Sequence, residues 1–272
     1  FFSQLPDAVE SKHIQPLIAP CRELFLLGGK RWRPLLQVLC AELFTDESSK
    51  NMQAVYEAVP LVEFVHTASL IHDDIEDSAD TRRGKPAAYL TYGLDTALNA
   101  GSWLYFASFV SIENLEISEE LKLKLYRTAS TELRRLHLGQ AMDIEWHRNN
   151  NYIPTREEYE SMVRCKTGTL ASLASKTGSL IAGATDKQAD ELGALSADIG
   201  VGFQVLDDVI NLSTGNPGKK RGDDIVEGKK SLPVIIHLET YPEDFEKIKD
   251  YFTEAGKNGI NSPAVEKCIE LL

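Results

Sequence analysis

The chain has 272 residues, 43% of them hydrophobic, and a formal net charge of -12. That length allows one large domain or two ordinary ones, and the hydrophobic share is enough for a sizeable core. The acidic balance argues against a nucleic-acid partner, which needs a basic face, but leaves room for anionic small substrates met by local basic clusters.

With 18 Gly and 11 Pro and no strand-like alternation between turn signals, the sequence reads as nearly all helical. Cys21, Cys40, Cys165 and Cys268 are scattered and read as buried, reduced thiols of a cytoplasmic protein. No apolar stretch reaches the roughly 18 residues of a membrane span. The chain begins "FFSQ" without Met and is expected to be incomplete at that end.

In chain order, 52–77 carries apolar residues at helical spacing (Val55, Val59, Val62, Val65, Leu70), with Pro60 expected near a helix start or at a kink. "TRRGKPA" breaks the pattern. Further long helices are predicted at 95–114, 118–147, 155–183 and 186–212, with Thr155 and Glu158 forming a capping box. "STGNPGKKRGDDIVEGKK" reads as the main loop, and "SLPVIIHLETY" opens another helix. The aromatics of "SWLYFASF" read as core packing, with room for one of them to face a cavity instead. No repeat, low-complexity tract or linker appears, so 1–272 is expected to form a single domain.

"LIHDDIED" (70–77) sets four carboxylates in five positions, and Asp73 and Asp77 project from one helix face. Alone, this could be a solvated acidic helix end. A second cluster changes the balance: "GFQVLDDVINL" places Asp207, Asp208 and Asn211 at the end of another apolar helical run. Two such clusters facing each other would make an oxygen-lined mouth. Mg²⁺ prefers oxygen, keeps some waters, and is shared between carboxylates and substrate phosphates. The bound ion would relieve the repulsion.

Cations flank these acids. "GGKRWRP" offers Lys30, Arg31 and Arg33, and "TRRGKP" offers Arg82 and Arg83. "KTG" offers Lys166, and "GKKRGDDIVEGKK" offers Lys219, Lys220, Arg221, Lys229 and Lys230. Each alone reads as a solvated charge. Together, in loops beside acidic clusters, they suit two polyanionic ligands, with Arg reading phosphate through a bidentate fork and Lys as a point charge.

The ordered set "GGKRWRP", "HTASLIHDDIEDSADTRRGKP", "GQAMDI", "KTG", "FQVLDD" and "EGKKSLPVI" resembles the all-trans polyprenyl diphosphate synthases and spans most of the chain. The resemblance implies an all-α bundle around a deep central cavity, a homodimer, and several Mg²⁺ ions per active site. It implies that Lys30, Arg33, His66 and Arg83 bind isopentenyl diphosphate. Asp73, Asp77 and Asp207 would bind Mg²⁺, with Asp74 and Asp208 in the same metal set. Arg82, Lys166, Thr167, Gln204, Lys220 and Lys229 would contact the allylic diphosphate, and Gln140 and Asp143 would line the same cavity. Among these, Asp73, Asp77, Arg82, Lys166, Asp207 and Lys229 are the expected catalytic group.

Asn211 stands where many members have Asp, offering an oxygen but no charge. This, "DDIED", "GQAMDIEWH" and "REEYESMV" resemble the geranylgeranyl-forming subgroup. One helical turn before Asp73, Ala68 and Ser69 are small, so the gate that an aromatic would close after farnesyl is open. Geranylgeranyl diphosphate is the expected product, with a longer polyprenyl diphosphate as the alternative. By the same resemblance the ending "CIELL" is expected to stop short of the family's last helices. A class I terpene cyclase should lack "GGKRWRP" and His66, and a non-catalytic synthase subunit should have lost one acidic cluster; neither loss is present.

Overall fold

The computed structural model describes residues 9–46, 48–215 and 220–272, so Lys219 lies outside the described residues. In chain order the elements are α1 (Ser11–Leu26), α2 (Trp32–Glu42), α3 (Lys50–Glu57), α4 (Val59–Glu76), β1 (Thr81–Arg82), β2 (Lys85–Pro86), α5 (Ala88–Tyr92), α6 (Leu94–Ala107), α7 (Val110–Glu113) and α8 (Glu119–Arg148). There follow α9 (Arg156–Val163), a π-helical turn (Arg164–Gly168), α10 (Thr169–Ile181), α11 (Asp186–Ser213), α12 (Asp223–Glu227), α13 (Leu232–Thr240), a 3₁₀ turn (Pro242–Asp244), α14 (Phe245–Asn258) and α15 (Pro263–Leu271). The fold is all-α. Its residues divide into two compact units, one of 1–131 with 170–196 and one of 132–169 with 197–272.

In the first unit the expected break at Pro60 is real. Helix α3 ends at Ala58, and Pro60 lies in the first turn of α4, where its missing N–H costs nothing. Helix α4 buries Leu61, Val65 and Ala68 along one face. It packs on α6 at Gly101, where a Cβ would come within 2.7 Å of the His72 ring. The segment Lys50–Glu76 is long and apolar enough to pass for a membrane span, but 56% of its most apolar window is buried in the protein. That burial, and the buried Glu63 in its middle, mark α4 as a core helix.

The "TRRGKPA" break is an antiparallel hairpin pairing Thr81 with Pro86 and Arg82 with Lys85. Its two turn residues, Arg83 and Gly84, have φ of 53° and 76°, the left-handed pair that matches strand twist in a tight hairpin. The "SWLYFASF" aromatics behave unequally. Tyr105 is buried edge-on to His72 and Phe109 stacks on Tyr126, but Phe106 is 75% exposed. Core packing was the wrong expectation for Phe106.

In the second unit, Thr155 caps α9 as expected: its Oγ1 accepts from Glu158 N at 3.2 Å, and Glu158 Oε2 accepts from Thr155 N at 2.8 Å. Trp146, Tyr159, Met162, Val163 and Ile235 form one apolar cluster. A second gathers Ile225, Val234, Ile248, Phe252 and Val265 from α12 to α15. The predicted main loop therefore contains a short helix, α12, and Ile225 explains it: its side chain is 1% exposed and anchors the segment in the core. Left-handed glycines, Gly222 at φ 85° and Gly228 at φ 77°, bound that helix.

Candidate active site

The first acidic cluster ends α4. Asp74 is buried, Asp73 is largely covered, and Asp77 is the C-cap residue. The hairpin turns Arg82 back onto them: its Nε donates to Asp74 Oδ1 at 2.6 Å and its Nη2 to Asp73 Oδ2 at 2.9 Å. Burial alone would depress the Arg82 guanidinium, but the charges of Asp73 and Asp74 outweigh it and hold the pKa above the usual arginine value.

Beside this lies a group of cations drawn from three segments. Gly28 and Gly29 take φ of 84° and 142°, and Gly29 leaves a space that Arg83 fills: a Cβ there would sit 2.9 Å from Arg83 Nη2. Arg83 also donates to Leu24 O at 3.2 Å. Arg33 Nη1 donates to His66 Nε2 at 3.4 Å, so His66 accepts there in its neutral form. Burial, and then the charges of Arg33, Arg83, Arg82 and Arg31, push His66 well below the ordinary histidine value. Burial lowers Arg33 to about 10, against the opposing charge of Glu63. Among the described residues nothing bonds the buried Arg33 Nε, an orphaned donor that fits a site made to receive an anion. Lys30, next in the chain after Gly29, is exposed.

Sequence reasoning did not single out Glu63. It is 4% exposed on α4 and ion-pairs with Arg31, whose Nη2 donates to Phe25 O at 2.6 Å and whose guanidinium stacks 4.3 Å over the Phe25 ring. A lone acid in "PLVEFV" was the available signal. Ala68 is fully buried, and Ser69 is half-buried with its hydroxyl donating to His66 O at 2.8 Å.

In the second unit, Asp207 is exposed and Asp208 is buried. Asp208 accepts from Tyr159 Oη at 2.6 Å, Gln204 Nε2 at 3.0 Å and Leu232 N at 3.0 Å. Burial raises its pKa in spite of these donors. Gln204 Oε1 in turn accepts from Thr167 Oγ1 at 3.1 Å, linking the "KTG" and "FQVLDD" motifs. Asn211 is buried, and its Oδ1 accepts from Asp224 N at 3.4 Å, holding the start of α12.

Lys166 sits in the π-helical turn, a local irregularity frequent at functional sites. Its Nζ donates to Asp143 Oδ2 at 2.5 Å. Gly139 explains the "GQAMDI" motif physically, since a Cβ there would meet Lys166 N at 2.3 Å. Gln140 is half-buried on the same helix. Lys229 pairs with Glu227, and the exposed Lys220 donates to Asn261 Oδ1 at 3.3 Å.

Among the described residues no three His, Cys, Asp or Glu side chains are gathered closely enough to hold an ion alone. The available donors are carboxylate oxygens. That set fits a hard divalent cation which takes one or two carboxylates and completes its shell with water and substrate phosphate. Asp73 and Asp77 in the first unit, and separately Asp207 in the second, are carboxylates of that kind.

The family model described as "Polyprenyl synthetase" matches residues 14–272. A short chain isoprenyl diphosphate synthase of Methanocaldococcus jannaschii is 36% identical over 255 residues, covering 92% of this chain and 74% of that protein. A geranylgeranyl diphosphate synthase of Methanosarcina mazei is 37% identical over 227 residues, covering 83% and 68%. Among solved structures, the geranylgeranyl pyrophosphate synthetase from Pyrococcus horikoshii superposes with a TM-score of 0.84 at 30% identity, over 96% of this chain and 78% of that one. The Caulobacter crescentus polyprenyl synthase, complexed with calcium and isoprenyl diphosphate, gives 0.77 at 28% identity, over 97% and 76%.

Proposed function

The chain belongs to the polyprenyl synthetase family, and from that premise we propose that it condenses isopentenyl diphosphate with an allylic diphosphate, head to tail, to give geranylgeranyl diphosphate. It is a prenyltransferase that elongates prenyl chains. The observation that carries the site reading is in the first unit, where three separated segments bring Arg33, His66 and Arg83 together beside Asp73 and Asp74.

In this reading Lys30, Arg33 and Arg83 hold the diphosphate of isopentenyl diphosphate. His66 stays uncharged and orients Arg33. Arg82, Lys166 and Lys229 meet the negative charge that builds on the allylic diphosphate as its C–O bond breaks. Lys220, Thr167 and Gln204 complete the allylic contacts, and Gln140 and Asp143 line the cavity around them. Bound Mg²⁺ supplies Lewis-acid stabilisation of that same leaving charge. The isopentenyl double bond attacks the allylic carbon, and the proton then lost passes to the departing diphosphate, so no side-chain base is required.

The small residues Ala68 and Ser69 favour a product of at least twenty carbons. Relatives named as geranylfarnesyl and nonaprenyl diphosphate synthases keep the longer product as the second reading. A homodimer is supported by the exposed Leu94, Leu98 and Phe106 on α6, spaced by one turn and then two along one face and too apolar for a purely solvated one. Four free thiols favour a reducing compartment, the cytoplasm. The deciding experiment is incubation with Mg²⁺, isopentenyl diphosphate and separate C5, C10 and C15 allylic primers, followed by sizing of the products. Absence of any elongation sinks the reading; a ladder ending beyond twenty carbons selects the second.

A further inference from the structure

Lys230 is 3% exposed, and among the described residues its direct partners carry no charge. Its Nζ donates to Gly228 O at 2.7 Å and to Asn150 Oδ1 at 3.0 Å, and it stands 4.8 Å over the Phe252 ring. Burying an ammonium costs several kcal/mol unless it is compensated, and an apolar residue of this size would fill the space more cheaply. Burial accordingly lowers the Lys230 pKa to about 8, with the more distant charge of Asp143 acting the other way. The cost needs a return.

The return lies in what the ammonium ties together. Gly228 is pressed against the end of α8, where a Cβ would come within 2.9 Å of His147 O. Lys229 N donates to Asp224 O at 2.8 Å. Two residues past Lys230, Leu232 N donates to Asp208. The turn from Gly228 to Leu232 thus runs between a cation assigned to the allylic diphosphate and a carboxylate of the second acidic cluster. Lys230 reaches back from the middle of that turn to its start and to Asn150 beyond the end of α8. We infer that Lys230 is a positioning residue, whose buried ammonium staples the Gly228–Leu232 turn so that Lys229 is presented to the allylic diphosphate.

This rests on the assignment of Lys229 made above, so the test separates the two claims through a double-mutant cycle of Lys229→Ala and Lys230→Met. Met keeps the volume and the apolar contact with Phe252 while removing the charge. Lys230→Met should lower kcat/KM for the allylic substrate at least tenfold and leave the KM for isopentenyl diphosphate within twofold. Combined with Lys229→Ala it should add almost nothing, because the staple acts only through Lys229. Normal allylic kinetics in Lys229→Ala would overturn the assignment of Lys229. Impaired Lys229→Ala with normal Lys230→Met, or with losses that simply multiply in the double variant, would overturn the staple alone. Should Lys230→Met not fold, Asn150→Ala removes one of the two hydrogen bonds and should give a loss of about threefold in the same parameter; wild-type kinetics there would also overturn it.

Discussion

Arg82 holds Asp73 at 2.9 Å through Nη2 while its Nε is bonded to Asp74, so one guanidinium spans two of the four carboxylates that close α4. The acidic repulsion that makes this stretch conspicuous in the sequence is therefore already reduced by a cation placed eight and nine residues downstream. On the proposed reading the same guanidinium faces the allylic diphosphate, so substrate and metal redistribute a charge network that exists before they bind.

Asp73→Ala and Asp207→Ala should each reduce turnover by roughly 100-fold or more, the scale of losing a group aimed at transition-state charge. Asp207 is exposed, so its variant should melt like the wild type, whereas Asp73→Ala also loses an ion pair and should melt slightly lower. Circular dichroism and steady-state rates check both. Near-normal turnover in either would show that the carboxylate is not part of the site.

The two substrates should respond to different residues. Arg33→Ala should raise the KM for isopentenyl diphosphate, and Lys229→Ala that for the allylic partner, each by about 10- to 100-fold, the equivalent of one charge-assisted contact of roughly 1.5–3 kcal/mol. Equal effects of both variants on both substrates would show that the division proposed here is wrong.

Product length should follow the residues one turn before Asp73. Ser69→Phe, at a half-buried position, should shorten the product toward farnesyl with little loss of stability. Ala68 is fully buried, so Ala68→Phe should shorten it as well but cost about 1–3 kcal/mol through overpacking. Chromatography of the products and thermal melts give both readings, and an unchanged product ladder in both variants would move the gate elsewhere.

Lys230 makes a prediction about stability that needs no substrate. Its pKa is lowered to about 8 from an ordinary 10.5. Below pH 8 it is charged folded and unfolded, and the cost of burial is constant. Between those two values the unfolded chain binds more protons, so stability rises with pH through that window. The unfolding free energy of the wild type relative to Lys230→Met should therefore climb by about 2–3 kcal/mol from pH 8 to 10.5. A flat difference would mean the ammonium is not burdened by its surroundings.

Legibility in the sequence followed the range of the interaction. Pro60, the Thr155–Glu158 cap and the apolar spacing of α4 are local signals, and each appears as read. The acidic clusters and the "GGKRWRP" and "TRRGKP" cations stood out because like charges concentrated in short stretches are costly without a ligand. Glu63, Tyr159 and Lys230 were harder, because their meaning depends on partners 32, 49 and 80 residues away. Helix α12 was hidden by the glycines and lysines around it, since its stability comes from Ile225 being buried. Phe106 misled because an aromatic run gives no indication of which ring faces outward.

The π-helical turn at Arg164–Gly168 has a consequence for how this chain tolerates change in length. Such a turn accommodates one residue more than regular α-helical winding, and removing that residue would let α9 run into α10 with ordinary spacing. The widened turn absorbs its extra residue within one revolution, so the winding on either side would stay in phase and the deletion would act only inside the turn. Lys166 and Thr167 belong to that turn, and both would be re-aimed, Lys166 away from Asp143 and Thr167 away from Gln204. A one-residue deletion here would be a lesion of aim, confined to the few side chains that the widened turn presents.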